Sequence, residues 1–203
     1  MTEPLDTSTG PGRPREFDET EVVERAMEVF WREGYGGTSL NDLLEETGIG
    51  RASLYRTFGD KRGLFLRAIE RYIDGSFAAV DQCLEGTDSP IAGLRALVEM
   101  WRKHAQASDF IGCLMFNSLS EFGATDEPEL LERVSNGVSG IEQRLERALG
   151  RARDAGELAP DADLAQIRHT LLGAVCASMH FGRGGGRPEV VNGILDSALS
   201  TLE

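Results

Sequence analysis

The sequence predicts an all-α protein of about nine helices, with a three-helix N-terminal helix-turn-helix domain and a larger helical domain after it. Apolar residues recur at three- and four-residue steps through most of the chain, which is the spacing of a buried helix face. Glycine, proline and capping residues repeatedly interrupt that pattern and mark helix ends. The chain has 203 residues, 40% of them hydrophobic, which is enough for one or two globular domains with cores.

The domain boundaries follow from changes in composition. Residues 1–12 are polar, contain proline and glycine and show no periodicity, so we expect a disordered tail. We assign the helix-turn-helix domain to residues 13–60 and the second domain to residues 61–203.

The first helix is predicted from about Asp18 to Glu33, where apolar residues follow the helical spacing. Gly34 after it suits a left-handed helix stop. The second helix should begin near Ser39, because Asp42 stands three residues later, close to the pattern of a capping box. The free N–H groups at this helix start can also hold a phosphate, and the neighbouring Thr38 is a candidate for that contact.

A tight turn, Thr47-Gly48-Ile49-Gly50, separates the second helix from a short third one, as in a helix-turn-helix. One side of the third helix is predicted to be buried and consists of Leu54, Tyr55 and Phe58. The outward side consists of Arg51, Ser53, Arg56 and Thr57. A short basic helix with hydrogen-bond donors on its outer side is typical of a major-groove reader.

The charge distribution agrees with this interpretation, although the whole chain is acidic with a formal net charge of −13. Residues 47–72 carry six basic and two acidic side chains, a local charge of +4, whereas residues 73–203 carry 11 basic and 20 acidic ones. At physiological salt, charges are screened over about 8 Å, so a basic surface can act at a distance from an acidic domain. A solvated basic helix without a partner is the alternative.

The second domain is predicted to contain six helices. Their expected ranges are 60–84, 91–106, 110–123, 127–153, 162–181 and 188–202. The segment 110–123, FIGCLMFNSLSEFG, is apolar on nearly every side and should lie at the centre of the domain. Asn117 within it is either a satisfied core amide or a ligand contact. Cys113 near the helix start is expected to favour the thiolate form, and a buried structural cysteine is the alternative.

The familiar enzyme and metal motifs are missing from the sequence. The glycines at 182 and 184–186 are not followed by the Lys-Ser/Thr of a phosphate loop, and Gly137-Val138-Ser139-Gly140 lacks the spacing of a nucleophile elbow. The three histidines, at 104, 169 and 180, do not have zinc-protease spacing. We therefore expect no enzyme activity, no metal and no cofactor.

The compartment is expected to be cytoplasmic. No apolar run approaches the roughly 18 residues that a membrane helix needs, and the N-terminus lacks the pattern of a secretory signal. The cysteines are odd in number and widely spaced, which favours reduced thiols over disulfides.

From Phe17 to about Tyr72, the sequence resembles the DNA-binding domain of tetracycline-repressor-like (TetR-family) transcriptional regulators. The family pattern is similar to A-G-V-S-K-G-T-L-Y-x-x-F-x-x-K-E-x-L, and residues 47–64 here read TGIGRASLYRTFGDKRGL. Gly50 stands where the family usually has serine, and Gly59 where it often has proline. Beyond the first third of the chain the resemblance is one of architecture.

The resemblance implies a ligand-responsive repressor that binds a palindromic double-stranded operator as a homodimer. Arg56 and Thr57 would contact base edges, with Arg51 and Ser53 on bases or backbone. Thr38, Tyr55 and Lys61 would hold phosphates. The last two helices would pair with those of the second subunit. In some members cysteines sense electrophiles, which makes Cys113 a candidate sensor.

A small organic effector would bind among the fourth to eighth helices. The predicted lining residues, each of which can also be plain core, are Phe77, Trp101, His104, Phe110, Cys113, Met115, Phe116, Asn117, Phe122 and Met179. The competing function is that of a helical protein–protein adaptor without specific DNA binding.

Overall fold

The computed structural model describes residues 17–203. In that range the chain forms nine α-helices and a final 3₁₀ turn, and it forms no β-strand. The helices are α1 (Glu19–Glu33), α2 (Leu40–Thr47), α3 (Arg51–Phe58), α4 (Lys61–Glu85), α5 (Pro90–Ala105), α6 (Leu114–Phe122), α7 (Pro128–Asp154), α8 (Leu164–Arg183) and α9 (Pro188–Leu199). The predicted all-α fold is thus confirmed, while the predicted tail lies outside the described residues. None of these helices has both the length and the hydrophobicity required to cross a membrane.

The helix ends of the N-terminal region follow local sequence signals. The backbone N–H of Thr20 donates to the Asp18 carboxylate at 2.8 Å, which caps α1. A capping box opens α2: the Asp42 N–H donates to the Ser39 hydroxyl at 3.2 Å, and the Ser39 N–H donates to the Asp42 carboxylate at 2.8 Å. Gly48 ends α2 in the left-handed conformation that a side chain rarely adopts. The capping box predicted from Ser39 and Asp42 is confirmed. The left-handed stop predicted at Gly34 is not, because this residue combines a φ of 77° with an extended ψ of 165°.

We call α1 to α3 the head and α5 to α9 the body. The apolar sides of α1, α2 and α3 meet around Phe30, Leu43 and Leu54, each completely buried. The long helix α4 packs against α1 on one side and against α5 and α7 on the other, so it belongs to both parts. Its first turn is capped by Asp60, whose carboxylate accepts from the Gly63 N–H at 2.8 Å.

The helix predicted over residues 110–123 is shorter in the structure. It begins at Leu114, after an extended stretch in which Gly112 has a φ of +90°. That conformation is incompatible with an α-helix, and it turns the Gly112 carbonyl toward Trp31, whose indole N–H donates to it at 2.9 Å. Residue 113 is accordingly the N-cap of α6 and not part of its first turn. The continuous apolar run of the sequence gives no sign of this boundary.

Candidate nucleic-acid interface and cavity

The outer side of α3 is a candidate nucleic-acid interface. Leu54 is fully buried and Phe58 is half-buried, and together they attach α3 to the head. Arg51 and Arg56 are exposed, and Ser53 and Thr57 lie beside them, half-buried. Each of the four polar residues predicted on the outer side of α3 is therefore at least partly accessible to solvent.

Tyr55 was predicted on the buried side of α3, and that prediction is wrong: 48% of its surface is exposed. Successive helical residues differ by about 100° in direction, so burial of Leu54 leaves its neighbour on the flank of the helix. The phenol is therefore accessible to solvent.

The two exposed arginines of α3 are held differently. Arg51 donates from Nη2 to the side-chain oxygen of Asn41 on α2, at 2.8 Å. The Nη2 of Arg56 meets the Ser53 hydroxyl only at 3.5 Å, the outer limit of a hydrogen bond. The guanidinium of Arg56 thus keeps its paired donors available for a planar partner such as the guanine edge.

The phosphate contact predicted for the side chain of Thr38 requires correction. Only 1% of this residue is exposed, and its hydroxyl donates to the Gly34 carbonyl at 2.6 Å. The hydroxyl therefore stabilises the α1–α2 loop (residues 34–39) from inside and is not on the outer surface.

Lys61 also has an internal role. Its ammonium donates to the carbonyls of Tyr35 and Thr38, at 2.8 and 2.9 Å, and lies 4.2 Å from the centre of the Tyr35 ring. Burial lowers the pKa of Lys61, and the carboxylates of Glu121 and Glu127 oppose that shift. Because two of its three N–H donors point into the loop, Lys61 serves first to fix the α1–α2 loop.

A cavity of about 760 Å³ lies between the head and the body. Seven of the predicted ligand-site residues line it, namely Trp101, His104, Phe110, Cys113, Met115, Phe116 and Met179. Its interior is mostly apolar, with the charged side chains of Glu28, Arg32 and Asp109 among its lining residues. Such a cavity suits a small organic molecule with an apolar body and few polar groups.

Three predicted lining residues lie elsewhere. Phe77 packs beneath the Arg144 guanidinium, 3.8 Å from the ring centre, on the α7 side of α4. Phe122 is completely buried in an aromatic cluster with Tyr35 and Phe65. The Asn117 amide donates to the Ile111 carbonyl at 3.2 Å and so supports the cavity wall from behind. Aromatic character or polarity in a helix cannot distinguish these places from the cavity itself.

The head contributes to the cavity, which the sequence did not suggest. Met27 and Trp31 of α1 line it together with Tyr72 and Gly75 of α4. The sequence placed Phe30 and Trp31 together on the apolar side of α1, and the structure separates them. Phe30 fills the head core, and its neighbour turns to the cavity.

The thiolate predicted for Cys113 is contradicted by its surroundings. Burial raises the pKa of the Cys113 thiol, outweighing the hydrogen bonds from Tyr72 and from the backbone at 115 and 116 that lower it. Burial, together with the nearby thiol, also raises the pKa of Tyr72 well above its usual value. At neutral pH both groups are protonated, and they form a neutral hydrogen-bonded pair in the cavity wall.

Comparison with known proteins places the chain in a family. Residues 22–68 match the profile described as "Bacterial regulatory proteins, tetR family", and residues 90–195 match "Tetracyclin repressor-like, C-terminal domain". The chain belongs to the TetR family. It is therefore a DNA-binding transcriptional regulator of the helix-turn-helix type.

Two relatives of this TetR-family chain illustrate the match. The uncharacterized HTH-type transcriptional regulator YezE of Bacillus subtilis (strain 168) is 39% identical over 165 residues, 79% of this chain and 83% of YezE. The HTH-type transcriptional repressor ComR of Escherichia coli (strain K12) is 32% identical over 167 residues, 79% of this chain and 77% of ComR.

A solved structure agrees with the fold. A cysteine mutant of the TetR-family regulator CifR, complexed with a 26-bp double-strand operator DNA, superposes with a TM-score of 0.83 at 28% identity. The match covers 93% of this chain and 98% of that one.

Proposed function

We propose that this TetR-family regulator is a repressor that binds a palindromic operator as a homodimer and is released by a small organic effector. The observation that carries the proposal is the arrangement of two sites within one protomer. The exposed guanidinium surface of α3 lies in the same head whose α1 closes one wall of the 760 Å³ cavity. An occupant of that cavity therefore contacts the part of the protein that would bind DNA.

The DNA contacts are assigned to the outer side of α3. Arg56 and Thr57 contact base edges, Arg51 and Ser53 contact bases or backbone, and Tyr55 contacts a phosphate. Lys61 keeps one N–H for a phosphate while its other donors hold the α1–α2 loop. The repressor ComR and the operator-bound CifR support this assignment by similarity.

The experiment that tests the proposal is a nuclease footprint of the purified protein on DNA flanking its own gene. We expect protection of a palindrome, and we expect the protected duplex to bind with a strong salt dependence in the presence of competitor DNA. An adaptor without specific DNA binding would protect no sequence and would bind the recovered duplex no better than competitor.

The dimer is assigned to the outer sides of α8 and α9. A shallow groove between these helices is lined by small and apolar residues, including Gly173, Val190 and Ile194. Small residues allow helices of a second copy to approach closely, and a twofold axis would place two α3 helices about 34 to 36 Å apart, or a multiple of it.

Replacing Ile194 with glutamate should dissociate the dimer. The half-buried side chain lies in the α8–α9 groove, so a charge there would be desolvated without a partner in the interface. Sedimentation velocity should show a shift from dimer to monomer. The variant Ala78→Glu, which adds the same charge at an exposed position of α4, should remain dimeric. A dimeric Ile194→Glu protein would contradict the assignment.

The cavity makes a second prediction. Ala79 lines it, whereas the neighbouring Ala78 is exposed on the outer side of α4. Ala79→Phe places a ring in the space that an effector needs, so the affinity for the neutral fluorophore N-phenyl-1-naphthylamine should fall about tenfold or more. Ala78→Phe should leave that affinity unchanged in the same fluorescence titration. Equal affinity of both variants would place the probe outside the cavity.

The effector is a reversible ligand or an electrophile that alkylates Cys113, which lines the cavity. The raised pKa of Cys113 and its burial favour the reversible ligand. At pH 8, iodoacetamide should therefore modify the half-buried Cys83 and Cys176 before Cys113, as mass spectrometry of tryptic peptides can establish. The rate of Cys113 modification should increase with pH, because its thiolate forms only above the pH range in which cysteine thiols usually ionise. Selective labelling of Cys113 at neutral pH would instead support electrophile sensing.

A further inference from the structure

Helix α6 is attached to the head at both of its ends. At its start, the carbonyl of Gly112 accepts the indole N–H of Trp31 in α1, at 2.9 Å. At its end, the Glu121 carboxylate accepts the backbone N–H of Tyr35, at 3.0 Å, and that of Gly36. Residues 112–121 thus make one contact with α1 and another with the α1–α2 loop. Neither contact involves a residue of α4.

The α1–α2 loop fits the Glu121 carboxylate closely. A Cβ added to Gly34 would lie 3.1 Å from one carboxylate oxygen, and a Cβ added to Gly36 would lie 3.0 Å from the other. Gly34 also has a φ of +77°, which disfavours a side chain. These glycines let the carboxylate approach the two N–H groups directly.

A cation holds the same loop from its carbonyl side. The Lys61 ammonium donates to the carbonyls of Tyr35 and Thr38, while Glu121 accepts from the N–H groups of Tyr35 and Gly36. The attraction between the two charges is evident in Lys61, where Glu121 raises a pKa that burial lowers. The loop is consequently held between a carboxylate from the body and an ammonium at the start of α4. Hydrogen bonds to charged groups of this kind are stronger than neutral ones.

The other end of the same segment forms part of the cavity wall. Ile111, Gly112 and Cys113 line the cavity together with Trp31. A side chain at position 112 would not fit, because an added Cβ would lie 2.9 Å from the Asn117 amide oxygen. Glu121 is the eighth of the nine residues of α6, so the contact at the α1–α2 loop lies about 12 Å from Cys113 along a rigid helix. Displacement of the wall therefore moves Glu121.

We propose that Glu121 is the positioning residue through which occupancy of the cavity changes the head. This inference rests on the proposed effector function and names the contact that transmits it. The carboxylate holds the α1–α2 loop, which contains Ser39, the residue that caps α2. When an occupant displaces residues 111–113, α6 shifts and the hydrogen bonds from Tyr35 and Gly36 to Glu121 break. The base of the helix-turn-helix is then released from the body.

Amide hydrogen exchange of the full-length protein tests this proposal without DNA. N-phenyl-1-naphthylamine serves as the occupant of the cavity, and the readout is the exchange rate of a peptide that contains residues 34–38. In the unchanged protein, loading the cavity should accelerate exchange of these amides about tenfold, as expected for loss of a charge-assisted hydrogen bond. A loaded protein in which this rate is unchanged would overturn the proposal.

Variants at position 121 separate transmission from a structural role. In Glu121→Ala, the loop amides should exchange fast before loading and show no further change on loading, while the probe affinity is retained. Glu121→Gln keeps one acceptor oxygen and should restore part of the response. Glu132→Ala removes an exposed carboxylate of α7 and should respond like the unchanged protein. A full response in Glu121→Ala would overturn the proposal.

Failure of the hydrogen-exchange prediction can be distinguished from failure of the proposed function. Absence of a footprint would refute operator binding and leave the exchange result intact. Probe binding without a change in the exchange rate of residues 34–38 would refute the role of Glu121 and leave operator binding intact.

Discussion

Arg56→Ala is expected to weaken operator binding by about 1 to 3 kcal/mol per subunit and to relax the preference at one base pair of each half-site. The guanidinium is exposed on the outer side of α3, and an arginine at such a position can donate two hydrogen bonds to the O6 and N7 of guanine. Removing that pair leaves the remaining contacts in place. Because a palindrome is read twice by a dimer, the loss should appear at two symmetric positions of the operator.

Arg56 is a better candidate for base recognition than Arg51. The Nη2 of Arg51 already donates to Asn41 at 2.8 Å, whereas Arg56 meets Ser53 only at 3.5 Å. Releasing Arg51 from its partner on α2 would offset part of any hydrogen bond formed with a base. Arg51 is therefore expected to contact the backbone.

The measurement is fluorescence anisotropy with the footprinted duplex and with duplexes that carry one changed base pair. Arg67→Ala removes the same charge from an exposed position on α4 and serves as the control for electrostatics. For Arg56→Ala, affinities for the original and the changed duplex should converge at one position. An equal loss on every duplex would mean that Arg56 contacts a phosphate and that another residue recognises the base.

Local sequence signals were sufficient for most of the head. The capping box of Ser39 and Asp42, the Asp60 cap of α4 and the glycine after α2 each involve residues within four positions of one another. Such contacts form in the structure as the spacing predicts, because the helix itself sets the distance between the partners. The polar side of α3 was predictable for the same reason.

Contacts between distant parts of the chain account for what the sequence did not reveal. Glu121 and Tyr35 are 86 positions apart, and no spacing in the sequence connects them. Lys61 was predicted only as a phosphate contact, and its ammonium also donates to carbonyls 23 and 26 positions earlier. Thr38 had the appearance of an exposed cap and is buried. In each case tertiary packing determines which partner the side chain contacts, and the residue type alone does not.

The cavity was likewise predicted only in part from the sequence. Its body side was predicted in large part because aromatic and sulfur-containing residues cluster in α5 and α6. Its head side depends on the direction of Trp31, which is set by the carbonyl of Gly112 across 81 positions of sequence. The hydrogen bond of Trp31 thus links α1 to residue 112 and orients a ring that lines the cavity.

Phe65→Ala is expected to lower the free energy of unfolding by about 3 to 5 kcal/mol, the usual cost of removing a buried phenyl ring. Phe65 is completely buried. Its ring meets those of Phe30, Tyr35 and Phe122 edge-on, at centroid distances of 5.1, 5.2 and 5.3 Å. Each partner comes from a different part of the chain, so the cavity left by the alanine cannot be closed by moving one helix. Urea denaturation followed by circular dichroism measures the loss.

The same substitution should also reduce cooperativity, because the Phe65 ring joins the head to the body. Phe30 belongs to α1 and Phe122 to α6, and both rings pack on Phe65. Without that ring the head can open before the body, and the dependence of the unfolding free energy on urea should become shallower. Leu66→Ala, at the adjacent half-buried position, should cost less and leave the slope unchanged. An unchanged slope in Phe65→Ala would mean that the polar contacts of Glu121 and Trp31 are enough to keep head and body unfolding as one unit.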